Sequence, residues 1–138
     1  MTAHMSPYLS FRGDAAAAFA FYQSVFGGEL SSNTFGEFGA PDAPADQIMH
    51  AALEVAGFTL MGSDVPPGMD YADGARIRVI LHGDDEDTLR RWWNGLAEGA
   101  DVEVELAKQM WGDTYGALTD RFGIGWQVNI TTGDAPTV

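Results

Sequence analysis

The chain has 138 residues, of which 46% are hydrophobic and 12% aromatic, and its 20 acidic and 7 basic side chains give a formal net charge of -13. This length suits one domain with a hydrophobic core, the absence of cysteine excludes disulfides and cysteine nucleophiles, and the acidity disfavours nucleic acid as a partner. Because no apolar run is long enough to span a bilayer and no secretory leader is recognised, we expect a soluble cytoplasmic protein that does not contact membranes.

The first half of the chain is predicted to form one helix and several strands. Residues 14–26 are rich in alanine, and Phe19, Tyr22 and Phe26 recur at the spacing of one helical face. Asp14 is expected to cap this helix, and the glycine pair after it to end it. Strands are expected at residues 6–11, 29–35, 47–55 and 58–63, the last two joined as a hairpin by a turn at 56–57, with a loop at 36–46.

The second half repeats this order of elements. A strand is predicted at 75–81, where Ile77, Val79 and Leu81 are apolar residues spaced two apart. A helix is predicted at 85–98, because acidic residues at its start face the positive end of the helix dipole. Its buried face is expected to consist of Leu89, Trp92, Trp93 and Leu96. Further strands are expected at 101–106, 111–119 and 125–131, with a turn at 120–123.

The two halves are therefore predicted to be copies of one βαβββ module. Module one covers about 6–64, a proline-rich linker covers 65–74, and module two covers about 75–131. Neither module alone can bury much apolar surface, so we expect both to pack as a single α+β domain over residues 1–138.

Three segments resemble the PhnB-like branch of the vicinal oxygen chelate superfamily, which includes glyoxalases, bleomycin resistance proteins and dioxygenases. They are PYLSFRGDAAAAFAFYQSVFGGEL, IMHAALEVAGFTLMGSD and WGDTYGALTDRFGIGWQVN, and together the resemblance spans about residues 6–131. It implies two βαβββ modules whose strands curl into an incomplete barrel with a cleft. It also implies a small-molecule ligand in that cleft and a homodimer.

The metal-dependent members of that superfamily hold a divalent ion with His or carboxylate ligands from the first and last strand of each module. Here the first strand offers no such ligand, and the fourth offers Ser63 with Asp64 at its end. The fifth offers Arg76 and Arg78 with His82 at its end, and the eighth offers Gln127 where the resemblance implies a Glu. An arginine beside a cation without a set of anionic ligands is unfavourable. We therefore predict no cofactor and no metal ligands, with an atypical divalent metal site as the alternative.

Three polar residues on predicted strands are candidates for the ligand cleft. His50 and Glu54 share the more polar face of the third strand. An imidazole there can bind a ligand or act as a general base, or it can be a structural histidine with its hydrogen bonds satisfied. Arg78 can fork to a ligand carboxylate or phosphate, or form a surface ion pair.

Aromatic and amide residues near the carboxyl terminus complete the candidate set. Trp111, Asp113 and Tyr115 are predicted to share one face of the seventh strand, where the two rings can wall a pocket or pack in the core or in a dimer. Gln127 and Asn129 are predicted to share a face of the eighth strand. They can bind a ligand or hydrogen-bond to neighbouring strands.

These observations leave three functions open. The first is a PhnB-like protein that binds a small molecule in its cleft. The alternative is an enzyme of the lyase, isomerase or dioxygenase class, with an atypical metal site or metal-free acid-base chemistry. The third is a dimeric protein that acts through protein interaction. Fold membership does not choose among them, so no catalytic residue is assigned.

Overall fold

Strand, helix and three further strands follow one another twice along the chain, as the sequence predicts. The computed structural model describes residues 3–39, 43–66 and 76–131. The chain divides into two units, Met1–Asp73 and Gly74–Val138, each holding one βαβββ set. The predicted α+β class is confirmed. The packing of both modules as one domain stays a prediction, and most of the predicted linker lies outside the described residues. Neither helix in the described ranges is long and apolar enough to cross a membrane.

The first unit contains elements whose bounds lie close to the predicted ones. They are β1 (Tyr8–Phe11), α1 (Ala15–Phe26), β2 (Glu29–Thr34), β3 (Ile48–Val55) and β4 (Phe58–Asp64), with a short 3-10 helix at Gly36–Phe38 in the predicted loop. The strands form a sheet of order β1-β4-β3-β2, in which β1 runs parallel to β4 and the other pairs are antiparallel. The predicted hairpin is confirmed, because Val55 pairs with Phe58 across the two-residue turn.

The helix α1 covers one face of this first sheet. Its predicted apolar face is buried, with Phe19, Tyr22 and Phe26 all packed inside the unit. Gly62 on β4 lies directly beneath it, and a Cβ there would come within 2.8 Å of the Phe19 ring and 2.5 Å of the Leu9 carbonyl oxygen. The glycine therefore allows the helix to approach the sheet closely.

The start of α1 is held by a residue from the end of β4, and not by the predicted cap. Asp14 occupies the N-cap position, but its side chain makes no capping hydrogen bond, so that prediction is wrong. Instead the backbone N–H groups of Gly13 and Ala15 donate to Oδ1 of Asp64 at 2.7 and 3.0 Å. The N–H of Ile48 donates to Oδ2 of the same carboxylate at 2.9 Å. Asp64 is buried and joins the helix to two strands.

The second unit has the same plan. Its elements are β5 (Val79–Gly83), α2 (Glu86–Leu96), β6 (Asp101–Lys108), β7 (Thr114–Thr119) and β8 (Gly125–Ile130). They form a second sheet of order β5-β8-β7-β6, with β5 parallel to β8 and the other pairs antiparallel.

The helix α2 packs on one face of this second sheet. Of its predicted buried face, Leu89, Trp93 and Leu96 are buried, whereas Trp92 is partly exposed. Gly116 on β7 lets Trp93 approach, because a Cβ there would lie 2.7 Å from the indole ring. Asp85 caps the helix, and its side chain accepts hydrogen bonds from both the backbone N–H and the hydroxyl of Thr88.

The predicted position of β5 is wrong at both ends. The strand runs from Val79 to Gly83, and Ile77 before it is 88% exposed. In the parallel pairing of β5 with β8, Val79 lies opposite Trp126 and Gly83 lies opposite Ile130. A strand extends only where a neighbouring strand supplies hydrogen bonds, so the alternating pattern from residue 77 did not place the strand.

The strand β7 begins three residues later than predicted. A turn precedes it, closed by hydrogen bonds from Gln109 N–H to the Asp113 carbonyl oxygen and from Gly112 N–H to the Gln109 carbonyl oxygen. Trp111 and Asp113 therefore do not alternate with Tyr115 on one strand face, which corrects that prediction. Trp111 is 52% exposed on the turn, whereas Asp113 is fully buried.

Candidate functional site

Each sheet has one face that the helix of its own unit does not cover. On the first sheet, strand pairing places Tyr8 beside Met61 and Met61 beside Ala52, and places Ser10 beside Ser63. Side chains alternate between faces along a strand, so these residues lie opposite α1. The residues of this helix-free face are all partly or fully exposed: Tyr8, Ser10, His50, Ala52, Glu54, Thr59, Met61 and Ser63.

Tyr8 and His50 meet on this helix-free face. The Tyr8 hydroxyl lies 3.2 Å from Nδ1 of His50, and the two rings are stacked with centroids 5.8 Å apart. The two residues come from strands separated by β4, so the tyrosine side chain reaches across that strand. Sequence patterns did not identify Tyr8 as a site residue, because the order of strands in a sheet is not encoded in local periodicity.

Glu54 lies further along the same face. It pairs directly with Glu29 on β2, and both carboxylates are exposed. They border a groove of about 430 Å³ at the edge of the sheet, lined by Gln23, Gly28, Glu29, Leu30, Ser31 and Glu54. Two like charges on directly opposed residues disfavour an anionic ligand here.

The helix-free face of the second sheet carries a mixed row of side chains. Ile80, Gln127, Ala117 and Val104 lie side by side across the four strands. Ile80 and Val104 at its two edges are exposed large apolar residues. Tyr115 lies in the next row, opposite Asn129. Gln127 and Asn129 thus share a face as predicted.

Asp113 reaches this face from the turn before β7. Its Oδ2 accepts a hydrogen bond from Nδ2 of Asn129 at 3.0 Å. The Trp111 ring lies above the same end of the sheet, with its centroid 6.2 Å from that of Tyr115. Of the predicted candidates, the structure therefore brings Trp111 and Tyr115 together in the second unit, and His50 and Glu54 share a face in the first.

Arg78 is engaged by another side chain. Its two terminal nitrogens donate to the two carboxylate oxygens of Glu103 at 2.6 and 2.9 Å. These hydrogen bonds raise the pKa of Arg78 and lower the pKa of Glu103. The geometry is that of the surface ion pair considered above, and a role for Arg78 in ligand binding stays a prediction.

The residues present do not fit the usual divalent metal site. Within residues 3–39, 43–66 and 76–131, no group of three or more His, Asp or Glu side chains converges as a metal-binding set. Both Asp64 oxygens already accept backbone hydrogen bonds, and the position expected to hold a glutamate is Gln127. We therefore assign no chemical step to a metal, and the prediction that the chain needs no cofactor stays a prediction.

Comparison with protein-family models gives a match over residues 4–128 to the Glyoxalase/Bleomycin resistance protein/Dioxygenase superfamily. Among curated proteins, the chain is similar to protein YjdN of Escherichia coli K12, with 32% identity over 91% of this chain and 94% of that protein. An uncharacterized protein of Mycobacterium bovis is 33% identical over 90% of this chain and 80% of its own length.

Two solved structures are similar to this chain over 94% of its length. Protein PA1353 from Pseudomonas aeruginosa superposes with a TM-score of 0.81 at 35% identity, covering 94% of this chain and 98% of that one. A PhnB protein from Bacillus cereus, described as a putative 3-demethylubiquinone-9 3-methyltransferase, gives a TM-score of 0.78 at 19% identity, with 94% and 100% covered. At that lower identity the likeness concerns the fold alone.

Proposed function

Since the chain belongs to the Glyoxalase/Bleomycin resistance protein/Dioxygenase superfamily, we propose that it binds a small organic molecule through Tyr8 and His50. The observation that carries this proposal is the hydrogen-bonded pair that these residues form on the helix-free face of the first sheet. The pair combines ring surface with polar groups, and half of the Tyr8 side chain is exposed to solvent.

The chemistry of the pair suits a ligand with one polar group on a flat body. With Nδ1 of His50 engaged by Tyr8, Nε2 has no hydrogen-bond partner among the described residues. If the phenol donates to Nδ1, Nε2 carries a proton and donates to the ligand; in the other tautomer it accepts. Met61 adds apolar surface beside the tyrosine, and Ser63 adds a hydroxyl.

The same pair favours acid-base catalysis as a second candidate function. An imidazole with one nitrogen held by a phenol and the other available is an arrangement that can accept and return a proton without a metal. Substrate turnover separates the two functions, because a binding protein leaves its ligand unchanged.

The first test follows His50 directly by NMR. The Cε1–H signals of the histidines are recorded while phenol, benzoate and indole-3-acetate are titrated separately. We expect at least one probe to shift the His50 signal and to leave that of His82, on the second sheet, in place. Tyr8→Phe removes only the hydroxyl and should weaken binding about threefold to tenfold, the worth of one neutral hydrogen bond.

Tyr115→Phe is the matched control, because it removes a tyrosine hydroxyl from the second sheet and should leave affinity unchanged. Equal weakening by both variants, or His50 signals that no probe moves, contradicts the proposal. Chemical conversion of a probe that His50→Gln abolishes would establish the enzymatic function instead.

We also propose that the chain forms a homodimer in the cytoplasm. Large apolar side chains are exposed around the start of β5, where Ile77 is 88% and Ile80 is 42% exposed. A twofold contact would cover this patch on both chains at once. Light scattering at micromolar concentration should give twice the 14.8 kDa chain mass. A monomer mass that does not change with concentration contradicts the dimer.

A further inference from the structure

Three buried aspartates differ in how completely their oxygens are hydrogen-bonded. Asp64 accepts three backbone N–H groups, and Asp120 accepts two backbone N–H groups and the indole N–H of Trp126. Asp113 accepts one hydrogen bond, from Asn129, and its Oδ1 has no partner among the described residues. Both carboxylate oxygens of Asp64 and of Asp120 accept hydrogen bonds that stabilise the fold, whereas Oδ1 of Asp113 accepts none from the described residues.

The unpaired Oδ1 of Asp113 lowers the stability of the fold, and the turn before β7 does not depend on it. Burying a carboxylate oxygen without a donor is more unfavourable than burying a neutral polar atom unpaired. The turn before β7 is closed by the backbone carbonyl of Asp113, which accepts from Gln109, and not by the side chain. A buried polar group left unpaired in this way requires an explanation, and a bound ligand supplies one.

The surroundings of Asp113 are those that an organic cation favours. Trp111 and Tyr115 present aromatic rings at the same end of the sheet, and ring faces attract ammonium groups. Within residues 3–39, 43–66 and 76–131, Arg78 pairs with Glu103 and Arg90 with Glu86, and no cationic side chain pairs with Asp113. The net charge of -13 also attracts cations over long range.

We infer that Asp113, Trp111 and Tyr115 form a binding site for an organic ammonium ion. The ammonium group donates an N–H to Oδ1 of Asp113, while Asn129 holds Oδ2 and fixes the orientation of the carboxylate. The rings of Trp111 and Tyr115 contact the apolar body of the ligand. Because Oδ1 of Asp113 has no exposed surface, a side chain must move to admit the ligand. Trp111 is 52% exposed on its turn, so its movement would disturb little packing.

The residues of this site belong to the second sheet, whereas Tyr8 and His50 belong to the first. Neither proposal depends on the other, and each is tested by its own residues.

The test compares two probes of nearly the same shape by isothermal titration calorimetry. One is 2-phenylethylammonium, and the other is 2-phenylethanol, which lacks the charge. We expect the wild-type chain to bind the ammonium at least about tenfold more tightly than the alcohol. Asp113→Asn should abolish this preference.

Glu105→Gln is the matched control, because it removes one negative charge from an exposed position on β6 and should keep the preference. Trp111→Ala, on an exposed turn that does not support the core, should weaken ammonium binding without unfolding the chain. Equal affinity for both probes, no ammonium binding up to about 10 mM, or a preference that survives in Asp113→Asn overturns the inference.

Discussion

The helices of the two units each follow an aspartate, Asp14 and Asp85, yet only the second helix is capped by the aspartate that precedes it. Asp85 accepts from Thr88, three residues along the chain. The first helix is capped by Asp64, which accepts a hydrogen bond from the N–H of Ala15. These two residues are 49 positions apart in the sequence. One helix N-terminus is thus capped by a residue next to it in the sequence, and the other by a residue that only the tertiary structure brings near.

The two capping aspartates differ in how many segments depend on them. Asp64 binds the start of α1, the start of β3 and the N–H of Gly13 with one buried carboxylate, so these segments lose their hydrogen bonds together if the residue is removed. Asp85 binds only its own helix and is exposed. The first unit should therefore depend on its cap far more than the second unit does.

The largest expected effect is that of Asp64→Ala. It leaves three backbone N–H groups without acceptors and should lower the free energy of unfolding by about 3–5 kcal/mol. Asp14→Ala is the control, because that side chain makes no capping bond, and should cost less than about 1 kcal/mol. Urea denaturation followed by circular dichroism measures both. Similar losses in the two variants would mean that Asp64 does not hold the first helix.

Alanine at the glycines beneath the helices should have the next largest effect. Gly62→Ala meets a backbone carbonyl as well as the Phe19 ring and should cost about 2–3 kcal/mol; Gly116→Ala meets chiefly the Trp93 ring and should cost about 1–2 kcal/mol. Gly125→Ala serves as the control, because the nearest atom to its Cβ would be Cγ of the Arg78 side chain, at 3.1 Å. Thermal unfolding ranks the three, and a control that is as destabilised as the other two contradicts the close-approach argument.

Asp113→Asn should change stability much less than Asp64→Ala. It relieves the burial of an unpaired charge and keeps an oxygen that Asn129 can bond, so the free energy of unfolding should move by less than about 1 kcal/mol in either direction. The same urea experiment measures it. A loss as large as that of Asp64→Ala would show that Oδ1 has a structural partner and would count against a ligand site.

The smallest effect concerns Asp85 and pH. The hydrogen bond from the Thr88 hydroxyl lowers the pKa of Asp85 below its usual value. Its contribution to stability is therefore present above the unfolded-state pKa of about 4 and is lost as pH falls through the lower folded value. Asp85→Asn keeps the cap, so its small deficit in melting temperature at about pH 7 should shrink at about pH 3.

Asp84→Asn changes the same charge one residue earlier and provides the comparison for that measurement. Asp84 makes no side-chain capping bond in the described structure, so its variant should show no such pH dependence. A deficit of Asp85→Asn that stays constant across the range would argue against an ionised cap.

The sequence by itself determined the features that depend on neighbours along the chain. The faces of α1 and α2 and the hairpin at residues 56–57 follow from spacing and turn chemistry over a few residues. The repeated order of elements also followed, because each element carries its own periodicity. The polar face of the third strand identified His50 as a candidate, since alternation alone assigns a face.

Only the tertiary structure decided which distant residues meet. The strand order β1-β4-β3-β2 places Tyr8 near His50, and it brings Asp64 to the start of α1. The strand β5 begins at Val79, where it pairs with Trp126 of β8. The turn before β7 leaves Trp111 half exposed and Asp113 buried. These outcomes depend on hydrogen bonds between strands far apart in sequence. Local propensity does not predict which strands form such bonds, because each strand carries the same backbone donors and acceptors.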